Sequence, residues 1–244
     1  MNTGLCYTIT AIRNGRFKRE VIKENKYMDV VLITGLKKEF DKELAKTFVN
    51  SGYKVFAAGE EKIEGLKILP GDLKDVALAI QKETDNIDIY MDVSDERRAS
   101  DNFDVRSGLD CGIIREIYDA NVTRPMAMLE AFFPLLEAGR GKRLCFLTSA
   151  QASINETRGT DGYGYKMSKA GLHQFLQITR NVLAPKGYTI RAFDPLNGEL
   201  PAAQAAHAAF NYFTRRRGIE NTEALRDDEG NLVMRDAYGR HHPW

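Results

Sequence analysis

Between residues 29 and 193 the chain alternates short apolar runs with longer segments whose apolar positions recur every three or four residues. The runs are 29–33 (DVVLI), 54–58 (KVFAA), 67–70 (KILP), 87–91 (IDIYM), 143–148 (RLCFLT) and 188–193 (YTIRAF). Short runs of this kind suit strands covered on both faces. Between them, Phe40, Leu44 and Phe48 fall one helical turn apart, with Ala45 and Val49 widening the stripe, and Leu73, Val76, Ala77 and Ile80 repeat the spacing. Ile114, Ile117, Val122 and Phe132-Phe133 predict one long helix from about 110 to 137, and a second spans about 163 to 185. Strand–helix alternation predicts an α/β fold, a doubly wound parallel sheet with helices on both faces. No internal repeat or low-complexity linker interrupts it, so a single domain over 28–244 is expected.

The two ends depart from this plan. In residues 6–22, CYTITAIRNGRFKREVI, Asn14-Gly15 is a hairpin signal because both residues tolerate positive φ. A two-stranded β-hairpin is predicted within an N-terminal extension, residues 1–27. A lone hairpin is only marginally stable, so it is expected to pack on its own body or on a partner subunit, or else to be disordered. Near the other end, Asp227 to Asn231 reads as a turn, and a last short strand near 231–235 is expected to complete the sheet edge before the tail RDAYGRHHPW.

Charge and cysteine content narrow the function classes. With 35 basic and 34 acidic residues the net charge is +1, and nothing global points to nucleic acid. The run Arg215-Arg216-Arg217 reads as the solvated end of a helix. No window approaches the apolar length of a membrane span, and the N-terminus lacks the apolar core of a secretory signal. Cys6, Cys111 and Cys145 make neither a disulfide framework nor a zinc pattern, and a reducing cytoplasm is the simplest setting. No metal site is expected. His207 reads as a surface or partly packed residue, and His241 and His242 as part of a docked or unstructured tail.

The candidate chemistry lies in the second half. Tyr165 and Lys169 in YKMSK are four residues apart and share one helical face. A nearby ammonium is expected to lower the phenol's pKa toward neutrality and fit it to donate a proton to a developing alkoxide. Ser149, in GKRLCFLTSA, follows a buried strand, at the edge where open α/β sheets hold their sites. Asn121 lies within the long apolar helix, where a buried amide needs partners.

On these four features the chain from about 110 to 195 resembles the short-chain dehydrogenase/reductase family, whose element order it follows from Met28 onward. The resemblance implies a Rossmann-like fold and an NAD(P)-dependent oxidoreductase that moves hydride between nicotinamide and a carbonyl or alcohol substrate. It implies that Tyr165 is the general acid/base and that Lys169 tunes it and holds the nicotinamide ribose. It further implies that Ser149 binds the substrate carbonyl and that Asn121, with Lys169, supports a proton-relay water. Ser153 stands closer to the family's usual spacing from the tyrosine. Ser149 is preferred because it directly follows the strand, with INETRGTDG as a loop insertion.

The cofactor positions depart from the family pattern. Its TGxxxGxG turn reads here Thr34-Gly35-Leu36-Lys37-Lys38-Glu39-Phe40-Asp41, so only the first glycine is kept. Glycines at the later positions would let backbone amides and the helix N-terminus approach pyrophosphate. Glu39 and Asp41 obstruct that approach, and Asp41 could cap the helix instead. Thr34, Gly35, Lys37, Lys38, Asp72, Asp92, Tyr165, Lys169 and Pro195 are the candidate cofactor contacts. The basic residue ahead of the second glycine position is a feature of NADP-preferring members, whereas Glu60, with no arginine nearby, points to NAD; the choice stays open. Asp92-Val93-Ser94-Asp95 replaces Asn-Asn-Ala-Gly and adds negative charge. The helix opened by Pro201 leaves little room for a substrate lid, for which the N-terminal hairpin is a candidate substitute. Two further readings follow: a binding or regulatory subunit that has lost the dinucleotide, and a non-redox isomerase or lyase reusing the Tyr-Lys pair. The apolar faces of the 110–137 and 163–185 helices resemble the surfaces through which family members assemble, which implies a homodimer or homotetramer; the alternative is that the chain's own core covers them.

Overall fold

The computed structural model describes residues 28–59, 63–106, 108–215 and 232–243. The predicted hairpin, Cys6, Glu60 and the Asp227–Asn231 turn lie outside them. The elements are β1 (Val30–Thr34), α1 (Glu39–Asn50), β2 (Lys54–Ala58), β3 (Lys67–Leu69), α2 (Leu73–Gln81), β4 (Ile89–Asp92), α3 (Cys111–Tyr118), α4 (Arg124–Ala138), β5 (Arg143–Leu147), α5 (Tyr163–Leu183), β6 (Thr189–Asp194), α6 (Ala202–Thr214), β7 (Met234–Asp236) and β8 (His241–His242). They form one sheet in the order β3-β2-β1-β4-β5-β6-β7-β8. Strands β1 to β7 are parallel, and β8 returns antiparallel to β7. The sixfold strand–helix alternation of the sequence is thus a doubly wound sheet. Its order reverses between β1 and β4, where the carboxyl ends of the strands leave a crevice.

Strands β1, β4 and β5 are buried along their whole length and β6 nearly so, while the edge strands β3 and β8 are partly exposed. Val31 and Ile33 of β1 face α1 and α6, packing with Phe40, Leu44, Phe48, Ala209 and Phe213. Leu32 faces the opposite layer, with Phe132, Leu172 and Leu176 from α4 and α5. Arg143 of β5 and Arg191 of β6 are buried and donate to the carbonyls that end α6; Arg143 reaches Phe213 O at 2.7 Å and Arg215 O at 2.6 Å. These bonds dock α6 directly after the short segment 195–201.

One sequence expectation is refined and one corrected. The helix expected over 110–137 runs unbroken through α3 and α4, with a π-helical turn at Asp119–Thr123 between them. Pro125 has no N–H to return to the Asn121 carbonyl, so a regular α ladder cannot pass through this point. The strand near 231–235 is β7, at Met234–Asp236, but it does not form the edge. Asp236 Oδ1 accepts from Tyr238 N at 3.0 Å and Arg240 N at 2.8 Å, closing a turn that brings β8 alongside. Among the described residues no helix is long and apolar enough to cross a membrane.

Candidate active site

Helix α5 sets the site's floor. Its N-cap is Gly162 in a left-handed conformation, with no side chain to cap the first turn. The cap comes from elsewhere in the chain: Asp101 accepts from Gly164 N at 2.9 Å and Tyr165 N at 2.8 Å. Tyr165, Lys169 and Ser149 are all buried and come together beside the carboxyl end of β5. The Ser149 hydroxyl accepts from Gln151 N at 3.2 Å and is near enough to the Tyr165 phenol to favour its ionised form. Lys169 Nζ donates to Ser94 O at 2.7 Å and Leu147 O at 3.2 Å, and lies 5.9 Å from the phenol ring centroid. Ser153, also buried, accepts from Glu156 N at 3.2 Å and belongs to the following turn.

Two residues that carried no sequence motif complete this cluster. The Tyr165 phenol donates to Asp95 Oδ1 at 2.7 Å and accepts from Arg97 Nη2 at 2.6 Å. The Arg97 guanidinium lies 3.9 Å from the centroid of the same ring. Asp95 also accepts from Asn197 Nδ2 at 2.8 Å, pairs with Lys38, and lies 3.4 Å from Lys169 Nζ. Burial opposes ionisation of Asp95, but Lys169, Lys38 and Arg97 together hold its carboxyl well below the usual range.

The expected lowering of the phenol's pKa is overturned. Burial pushes Tyr165 well above its ordinary value, and the Asp95 charge adds to the rise; Arg97 and Ser149 oppose it without prevailing. Desolvation and a neighbouring anion both favour the neutral phenol, and in this arrangement they outweigh the cations. Burial likewise lowers the pKa of Lys169, against the pull of Asp95 and Asp92. His173, one turn further along α5, is depressed to about 3 by burial and by Lys169, and its Nε2 meets the Thr148 hydroxyl.

Asn121 lies in the π-helical turn. Its Oδ1 accepts from Glu96 N at 2.7 Å, and its Nδ2 donates to Glu96 O and to Ser168 Oγ, both at 3.0 Å. The amide therefore fastens the 94–97 segment to α5. These bonds run to Glu96 and Ser168, whereas Lys169 donates elsewhere.

The turn after β1 is organised around Asp41. Its Oδ2 accepts from Lys37 N at 2.9 Å and Lys38 N at 2.7 Å, so this carboxylate takes two of the amides that a phosphate would need. Burial raises its pKa to about 6 against those two bonds, and its Oδ1 has no hydrogen-bond partner. Lys37 Nζ pairs with Glu96 at 2.9 Å, as Lys38 does with Asp95. Gly35, at φ +83°, packs so close that a Cβ would lie 2.7 Å from Ser94 N. Thr34 and Asp92 are bonded to each other at 2.7 Å beneath this turn, and Asp92 also accepts from Ser94 N at 3.0 Å. Asp72 caps α2 by accepting from Asp75 N at 3.0 Å, and Pro195 is buried just past β6.

A cavity of about 50 Å³ remains here, lined by Thr34, Gly35, Asp92, Ser94 and Asp95 among others. Small-molecule sites usually measure about 300–1,000 Å³. As arranged, with Asp41 on the turn amides and ion pairs across the crevice, the residues do not fit a dinucleotide. Among the described residues no group of His, Cys, Asp and Glu could hold a metal ion.

No protein-family model matches the chain. Half of it, 121 residues, is 31% identical to an uncharacterized oxidoreductase of Saccharomyces cerevisiae and covers 46% of that protein. The chain spans about half the length of this curated relative. The carbonyl reductase Sniffer of D. melanogaster superposes on 89% of the chain and 100% of its own, with a TM-score of 0.74 at 15% identity. A carbonyl reductase from Pseudomonas aeruginosa PAO1 in complex with NADP covers the same shares, with a TM-score of 0.71 at 19% identity. The fold is the one that short-chain dehydrogenase/reductases share.

Proposed function

We propose that this protein is an oxidoreductase acting on a small carbonyl or alcohol substrate with a nicotinamide dinucleotide, NADP in preference to NAD. The observation that carries the reading is the burial together of Ser149, at the end of β5, with the Tyr165 phenol, one helical turn from Lys169. A carbonyl oxygen placed between these two hydroxyls is oriented by Ser149 and receives its proton from Tyr165. Lys169 and Arg97 then face the tyrosinate that remains. A nicotinamide dinucleotide, once bound, would supply the hydride. NADP is favoured because Lys38 occupies the basic position of the turn and because a reductase of the same fold is in complex with NADP.

Asp95 stands in the way of this chemistry as it is now placed. It accepts the phenol's hydrogen bond that the substrate oxygen should receive, and it raises the phenol's pKa. Withdrawing it would leave Lys169 and Arg97 as the facing charges and bring the phenol down. The closed crevice also favours a second reading, a subunit of this fold that binds no dinucleotide.

The homo-oligomer remains part of the proposal: helices α4 and α5 expose Met126, Met167, Ile178 and Val182. A reducing compartment suits the free thiols of Cys111 and Cys145.

The test is oxidation of NADPH and NADH over a panel of aldehydes and ketones. Turnover is expected, falling on the order of a hundredfold or more in Tyr165→Phe with an unchanged melting temperature. Absence of turnover with every carbonyl, or full activity of Tyr165→Phe, would overturn the reading.

A further inference from the structure

The segment Ser94-Asp95-Glu96-Arg97 lies across the crevice and is fastened from every side. Ser94 abuts Gly35 and holds Lys169 through its carbonyl. Glu96 is paired with Lys37 at 2.9 Å and bonded through its backbone to Asn121. Asp95 joins three elements at one carboxylate: Lys38 from the β1–α1 turn, Tyr165 and Lys169 from α5, and Asn197 from the β6–α6 connection.

Under the oxidoreductase reading above, those partners are the ones a dinucleotide would require: Tyr165 and Lys169 would meet a ribose, and Lys38 a phosphate. One side chain satisfies hydroxyl-binding and anion-binding groups together, and its own charge answers Lys38, Lys169 and Arg97. Removing Asp95 alone would strand three cations in a poorly solvated crevice, which is unfavourable. Removing it in exchange for a ligand that carries phosphates and ribose hydroxyls replaces anion by anion and acceptor by acceptor.

We propose that Asp95 is an internal occupant of the dinucleotide site, a latch whose carboxylate holds the cleft shut until an anionic cofactor takes its place on Lys38, Tyr165 and Lys169. This rests on the oxidoreductase reading above. The apparent cofactor affinity of the natural chain is then the intrinsic affinity reduced by the fraction of molecules with the latch open.

The experiment measures NADPH binding by nicotinamide fluorescence in the full chain and in Asp95→Gly and Asp95→Asn. Trypsin cleavage after Arg97 and Arg98 is followed in parallel. Asp95→Gly should bind NADPH about tenfold more tightly or better, and its 97–98 bonds should be cut faster. Acetate should compete with NADPH in Asp95→Gly, by refilling the vacated carboxylate position, and should leave the natural chain unaffected. If Asp95→Gly does not fold, the same tightening is read in Asp95→Asn, which keeps the side chain's size. Equal NADPH affinity in natural chain and variants overturns the latch and leaves the oxidoreductase reading standing. Failure of all forms to bind NADPH or NADH overturns that reading itself, and the latch with it.

Discussion

Replacing Asp101 tests how the site is held in place. Helix α5 has no capping side chain of its own, and its first-turn amides at Gly164 and Tyr165 are satisfied by the Asp101 carboxylate at 2.9 and 2.8 Å. Asp101 and Tyr165 are both buried, so water cannot readily replace these bonds. A hydrogen bond to a charged group contributes about 1.5–3 kcal/mol, and a negative charge at a helix N-terminus about 0.3–1 kcal/mol. Asp101→Ala removes two such bonds and the charge, and should lower stability by about 3–7 kcal/mol. Asp101→Asn keeps one neutral acceptor and should lose roughly half as much. The assay is urea unfolding followed by circular dichroism, with amide hydrogen exchange read at Gly164 and Tyr165. Since those amides position the phenol's backbone, kcat should fall about tenfold or more in Asp101→Ala. A stability loss below about 1 kcal/mol, or unchanged exchange at the two amides, would refute the assignment of Asp101 as the cap of α5.

Two pH-dependent outcomes follow from other buried groups. Asp41 has its pKa raised by burial from 3.8 to about 6, so the native state holds its proton more tightly than the unfolded chain. Stability attributable to Asp41 is therefore highest at low pH and falls as pH rises through that window, by at most about 3 kcal/mol. The stability difference between the natural chain and Asp41→Asn, measured by denaturant titration, should change by that order across the window; a constant difference would contradict the assignment. His242 is bonded to Asp236 at 3.0 Å and to Glu156 at 3.2 Å, and these carboxylates raise its pKa although burial opposes protonation. Its stabilisation is fully present below the unfolded value of 6.5 and is lost as pH rises through the raised folded value. Thermal melts should show His242→Gln well below the natural chain at about pH 6 and near it at about pH 9; a gap that stays constant with pH would argue against the pairing.

The sheet was legible because its central strands are buried on both faces, which leaves apolar runs such as 30–33 (VVLI) and 144–147 (LCFL). Helices α1 and α5 were legible from turn spacing, and Asp41 as a capping carboxylate was legible from its place three residues into α1. The π-helical turn at Asp119–Thr123 was not, because its residues keep a helical hydrophobic stripe and only Pro125 hints at it. The crevice was least legible. In the sequence Asp95 reads only as added negative charge near a cofactor. Its partners Lys38 and Tyr165 are 57 and 70 positions away, and no local pattern records such a pairing. Asp101 meets Tyr165 across 64 positions, for the same reason. The spacing of Tyr165 and Lys169 gave the proximity of a phenol and an ammonium but not the burial that decides the phenol's pKa.

The central claim is that Tyr165, with Ser149, delivers the proton in a carbonyl reduction. Its most direct measurement is label transfer: the protein is incubated with NADPH deuterated on the nicotinamide ring and a panel of ketones and aldehydes, and the products are read by mass spectrometry. Deuterium on the carbinol carbon with the natural chain, and its loss with Tyr165→Phe at unchanged NADPH affinity, is the predicted result. Unlabelled products throughout, or equal labelling by Tyr165→Phe, would contradict it.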